Sequence, residues 1–127
     1  MRDLVEEWLV RFALDPFLHQ HVTEVFVTLP SHVRDDMMAD ARFRLVDYDP
    51  GPGGLRLAVD IPGPGAHGGC RCVVLKRTLR HRATAFIRWV IAHELAHAHL
   101  RNDGRHPGED PEHAADALAA EWGFPRP

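Results

Sequence analysis

Two cysteines, little excess of either charge and no apolar run of membrane length are the shortages that first narrow this chain of 127 residues. Cys70 and Cys72 stand as Cys-Arg-Cys, where a disulfide across one residue would be strained and no other thiol exists to pair with them. They would supply half of a metal site with the other half missing. At a spacing of two they share one face of a strand, so they read as small packing residues. A formal net charge of −3 argues against dependence on a broad nucleic-acid or anionic-membrane footprint. No window approaches the ~18 apolar residues of a membrane span. The start, MRDLVEEWLV, carries acids and no apolar core of signal length, so it does not read as a secretory leader. The expectation is a soluble, cytoplasmic protein without a membrane partner.

What is present is ordinary globular material, 45% hydrophobic and 26% charged, at a length that suits one domain over 1–127. Leu4, Val5, Trp8, Leu9 and Phe12 recur at helical spacing, which predicts an amphipathic helix near 2–14 ended or interrupted by Asp15-Pro16. "TEVFVTL", 23–29, is rich in β-branched residues and stops at Pro30, which predicts a strand. Ser31 suits the cap of a short helix through Met38. "ARFRLVDYD" and "GLRLAVDI" read as strands joined by "PGPGG", and "CRCVVLKRTL" follows a second Gly/Pro loop as a fourth strand candidate. A helix is expected from Ala83 to Arg101 and another from Pro111 to Trp122, separated by "NDGRHPGED". Strands clustered before a helical pair indicate α+β, with a sheet of three or four strands, rather than a doubly wound α/β fold.

The penultimate helix holds His93-Glu94-Leu95-Ala96-His97 within an otherwise apolar segment. At ~100° per residue, His93 and His97 lie ~40° apart on consecutive turns, so both imidazoles leave one stripe and can converge on one ion. Glu94 sits beside that stripe, placed to lean toward a water, which is how the H-E-x-x-H pattern works as a zinc site with its own general base. His99 points ~140° away and is a poor ligand. Shuffling this composition produces the pattern about 4% of the time, so context must decide. Phe86, Ile87, Val90, Ile91, Leu95 and Ala98 make the helix apolar around much of its circumference. Polar groups buried there require compensation, which a cation supplies more completely than the alternative of core histidines bonded to carbonyls.

A catalytic zinc site needs a third protein ligand and an open fourth position. Asp103 could ligate but lacks a turn glycine to aim it, and His106 lies in a Pro/Gly loop without a scaffold. Glu112 is better placed. Asp110 suits a cap, Pro111 a first turn, Gly123 a C-terminal stop and Pro125 the residue after it. Glu112 then falls in the first turn, where the helix dipole favours its ionised form. Asp116, four residues on, faces the same way and can accept the outer N–H of a ligand imidazole. Ala115 and Ala119 are small enough for the two helices to approach closely. Acids at a helix start can equally be a solvated first turn.

"HELAH" followed by "EHAADALAA" resembles the small zinc metallopeptidases of the ImmA/IrrE type, and the Glu-x-x-x-Asp spacing is similar to that of thermolysin-like gluzincins. The resemblance covers residues 70–124. It implies a small zincin-like domain in which His93, His97 and Glu112 hold Zn2+, Glu94 is the catalytic base and Asp116 supports a ligand imidazole. It further implies hydrolysis of an amide bond in a protein or peptide substrate, which could add to a sheet edge at "CRCVVLKRTL". Tyr48, Arg101, His106 and His113 all remain open as oxyanion donors. The competing reading is a metal-binding sensor or partner-binding module on the same fold, without catalysis. A third is nucleic-acid binding through Lys76, Arg77, Arg80, Arg82 and Arg88, with His81 among them; given the acidic balance that run reads better as a solvated face. Zinc is inferred from the donor types, since His/His/Glu sets also accept other first-row ions. Nothing in the pattern specifies an oligomer.

Overall fold

The computed structural model describes residues 1–49, 71–100 and 111–127. Along these run helices α1 (Arg2–Leu9), α2 (Pro16–Thr28) and α3 (Ser31–Met38), strands β1 (Phe43–Tyr48) and β2 (Arg71–Lys76), and helices α4 (Thr84–Leu100) and α5 (Pro111–Glu121). Short 3-10 segments, Val10–Phe12 and Arg77–His81, follow α1 and β2. The result is a mixed architecture of helices with a small sheet. The expected strand at "GLRLAVDI", both Gly/Pro loops and Cys70 lie outside the described residues, as do Arg101, Asp103, His106 and Asp110.

The expected strand over 23–29 is instead the second half of α2. Local β-propensity loses there to a longer helical pattern: Leu18, Val22, Val25, Phe26 and Leu29 recur at 4, 3, 1 and 3 residues, and all five are buried. The helix is also well started. Asp15 accepts from the backbone N–H of Phe17 at 3.0 Å and Leu18 at 3.3 Å, and Pro16 occupies the first turn, where its missing N–H costs nothing. Asp15-Pro16 therefore opens a helix rather than closing the expected one over 2–14, which ends earlier: α1 stops at Leu9, the 3-10 turn at Phe12, and Ala13 takes a left-handed conformation with φ +51°. At the far end the buried Arg34 donates to the carbonyl of Leu29 at 3.0 Å and to that of Phe26 at 3.3 Å, which also accepts the Leu29 N–H.

Two smaller expectations also change. Leu4 is exposed, and α1 buries Val5, Trp8 and Leu9. Ser31 begins α3 without capping it; Pro30 takes the cap position, and its carbonyl accepts from Val33 and Arg34.

β1 and β2 pair in parallel, Phe43 opposite Arg71 through Tyr48 opposite Lys76. They are the two strands among the described residues; of the other two strand candidates, 23–29 is helical and "GLRLAVDI" lies outside those residues. The inward face carries Phe43, Leu45, Val73 and Leu75, all buried; Cys72 lies on the other face, half-buried. Arg71 shares the inward face and is buried, with its guanidinium 3.0 Å from Asp36 and 3.5 Å from Asp40. Burial pushes the Asp36 carboxyl up, but hydrogen bonds from Arg71 and His99 outweigh it and hold the group below its ordinary value.

α4 is the central element, packed against α2, α3, α5 and β2. Ile87, Ile91, Ala92, Leu95 and Ala96 on it are fully buried. Burying each such Ile or Leu side chain contributes about 1.5–3 kcal/mol. α5 lies on α4 through Ala115 and Ala119, both fully buried, as their small size allows. Gly123 ends α5 with φ +100°, its N–H bonded to the Ala120 carbonyl, and the Phe124 N–H reaches the Ala119 carbonyl at 2.9 Å. This Schellman closure seats the buried Trp122 at the end of the helix. Among the described residues no helix is long and apolar enough to cross a membrane.

Candidate metal centre

His93 and His97 are one turn apart on α4, and each is 8% exposed. Their Nε2 atoms approach to 3.1 Å, with the rings edge-to-face at a centroid distance of 4.7 Å. Glu112, in the first turn of α5, completes the group from the solvent side. Its Oε2 lies 2.7 Å from His93 Nε2 and its Oε1 3.3 Å from His97 Nε2. Close packing of α5 on α4 through Ala115 and Ala119 brings that carboxylate to the level of the two rings.

Behind the group, His93 Nδ1 is 2.8 Å from Asp116 Oδ1. An ionised carboxylate only accepts, so Nδ1 carries a proton toward Asp116, and the Nε2 atom faces Glu112 and His97. Trp89 Nε1–H donates to the same Asp116 oxygen at 3.1 Å. The Trp89 ring is itself packed by Phe86, His93 and the Arg126 guanidinium, at 5.5, 5.6 and 5.2 Å from its centroid. Reading the residues in sequence missed Trp89. The signal was there: 89, 93 and 97 form one i, i+4 row on the helix.

The donor set fits a metal ion. Tetrahedral zinc with bonds of ~2.0–2.1 Å holds its ligand atoms about 3.3 Å apart; here the two Nε2 atoms are 3.1 Å apart, one Glu112 oxygen is 2.7 Å from His93 Nε2 and the other 3.3 Å from His97 Nε2, and one donor atom from each residue lies within 4.8 Å of the other two. Protons could serve these contacts singly, whereas one cation at the common point serves all three lone pairs together. His93, His97 and Glu112 are thus the group that could hold an ion, with Asp116 orienting His93.

The remaining candidates are placed as follows. Glu94 is half-buried and lines a cleft of about 400 Å³ between β2, the 3-10 segment and α4. His99 points away from the group, as its helical angle requires, and its Nδ1 meets Asp36 Oδ2 at 2.8 Å. Tyr48 ends β1, and His113 is exposed in the first turn of α5.

The basic run is partly neutralised. Arg77 pairs with Asp47 and Arg80 with Asp15, each at 3.0 Å. Partial burial raises the Asp15 carboxyl, but the backbone N–H groups of Leu18 and Phe17, together with Arg80, outweigh this and leave it below its ordinary value. Asp47 also accepts the backbone N–H of Asp15, which ties the start of α2 to β1. No family model, curated protein or solved structure matches the chain.

Proposed function

We propose that the protein is a zinc-dependent peptidase that hydrolyses an amide bond in a protein or peptide. The observation that carries this reading is the convergence of His93 Nε2, His97 Nε2 and the two Glu112 carboxylate oxygens at 2.7–3.3 Å, with Glu94, the residue after His93 on α4, lining a neighbouring cleft. Zinc, when bound, supplies a Lewis acid that polarises a carbonyl and lowers the pKa of a water toward ~7. The Glu94 carboxylate takes the proton of the attacking water and returns it to the departing amine nitrogen. Asp116 holds the His93 tautomer, and Trp89 holds Asp116. The small zincin-like character of the domain, with α4 as the active-site helix and α5 as the ligand helix, belongs to the same proposal.

The test combines metal content with turnover. Protein purified without a histidine tag should carry stoichiometric zinc that His93→Ala and His97→Ala abolish. Glu94→Gln should keep the zinc and lose cleavage of a peptide library. Zinc binding with no cleavage by the wild type, and no difference in Glu94→Gln, would leave a metal-binding module without catalysis. Failure to take up zinc would end the reading altogether.

A further inference from the structure

The Glu94 cleft has apolar walls and a cationic mouth. Val74, Leu79, Phe86 and Val90 line it, with Lys76 and Arg82 among them. β2 contributes through its outer face, where Val74 and Lys76 follow one another at a spacing of two. The Arg82 guanidinium lies 4.0 Å from the Phe86 ring centroid, a cation–π contact that holds the charge over the apolar wall.

The pattern of neutralisation across this basic run is selective. Arg77 and Arg80, which do not line the cleft, each have a carboxylate partner brought from a distant part of the chain. Lys76 and Arg82, which do line it, have no carboxylate partner among the described residues. Among the described residues, Lys76 and Arg82 therefore bring unpaired positive charge to a cleft whose one lining carboxylate is Glu94, beside walls suited to a large apolar side chain. Complementary charge at the rim steers and selects a ligand, while the apolar wall supplies contact area.

We infer that this cleft is the specificity pocket for a peptide in which a bulky apolar side chain has a carboxylate within one residue of it. The carboxylate could be an acidic side chain or the peptide's own C-terminus. This inference rests on the peptidase reading for its biological sense, but the recognition it describes can be measured without turnover.

The probes are blocked pentapeptides of alanine carrying Leu-Asp, Asp-Leu, Leu-Asn or Ala-Asp at the centre, and an acetyl-Ala-Ala-Leu peptide with a free or amidated C-terminus. Binding is titrated at low salt, where a Debye length above ~10 Å preserves exposed charge effects. It is measured on the full chain stripped of metal with a chelator, and again on the zinc-loaded Glu94→Gln variant. At least one Leu peptide with a carboxylate should bind about ten-fold tighter than its Asn or amide counterpart and than Ala-Asp. The two arms, internal Asp and free terminus, identify the source of the carboxylate. Lys76→Gln with Arg82→Gln should erase the preference, and Arg77→Gln or Arg80→Gln should leave it unchanged. Charge-indifferent binding, or loss of preference in the Arg77 and Arg80 variants alone, overturns the inference. So does displacement of every peptide by a short oligodeoxythymidylate that binds more tightly, which would mark a nucleic-acid surface. Zinc uptake with charge-indifferent cleavage defeats the pocket and keeps the peptidase; the stated preference without zinc uptake does the reverse.

Discussion

Replacing Asp116 tests whether the group behind His93 sets the geometry of the candidate metal centre. Asp116 Oδ1 accepts from His93 Nδ1 at 2.8 Å and from Trp89 Nε1 at 3.1 Å. A hydrogen bond to a charged acceptor is worth about 1.5–3 kcal/mol and a neutral one about 0.5–1.5 kcal/mol, so Asp116→Asn should forfeit roughly 1–1.5 kcal/mol of support. The Asp116 side chain is 31% exposed, and solvent screening places the loss at the lower end of that interval. That corresponds to a zinc affinity weakened about five-fold. Asp116→Ala removes the contact entirely and should approach a hundred-fold, the upper end of the ~10–100-fold effect typical of such partners. Affinity is read by competition with a chromophoric zinc chelator at neutral pH. Urea unfolding of the metal-free variants serves as the control, because Asp116→Ala also strands the Trp89 indole and should cost about 1 kcal/mol of stability. If both folded variants hold zinc as tightly as the wild type, Asp116 does not orient His93 and this account of the site is wrong.

Two further outcomes concern stability. Asp15→Ala should destabilise the protein by about 1 kcal/mol through loss of the α2 cap, with Asp15→Asn recovering most of it; an unchanged urea midpoint in the alanine variant would refute the capping role. Acidification should weaken the metal-free fold in stages. Burial first, and the Arg88 charge second, hold His21 below its ordinary 6.5, so the folded state prefers the neutral ring. Its contribution is complete above pH 6.5 and fades as pH falls through 6.5 toward the lowered native value. Asp15 and Asp36, held below 3.8, contribute above that pH and lose their contribution below it. His21→Gln should remove the first stage from the urea midpoint against pH, and a curve superimposable on the wild type would contradict it.

The candidate metal group was legible in the sequence because its spacings are local. Positions 93 and 97 are fixed by one helix, while Pro111 and Gly123 punctuate the other so clearly that Glu112 and Asp116 fall on its first turns. The Thr23–Leu29 segment was misread for the opposite reason. Its seven residues favour a strand, and the helical row becomes visible only when Leu18 and Val22 are counted with it. The cleft could not be read from sequence at all. Which cations of the 76–82 run stay uncompensated depends on Asp15 and Asp47, which are separated from their partners by 65 and 30 residues and delivered by the packing of α2 and β1.

The guanidinium buried on the inward face of β2 has a consequence for the strand's alignment. Val, Leu and Phe side chains are nearly interchangeable in a small parallel pair, so apolar burial alone tolerates several offsets. Arg71 does not, since slipping β2 by one residue would swing its charge away from Asp36 and Asp40 and turn Val73 and Leu75 to the opposite side. A single cation thereby acts as an alignment key, and it is this key that keeps Val74 and Lys76 turned toward the cleft.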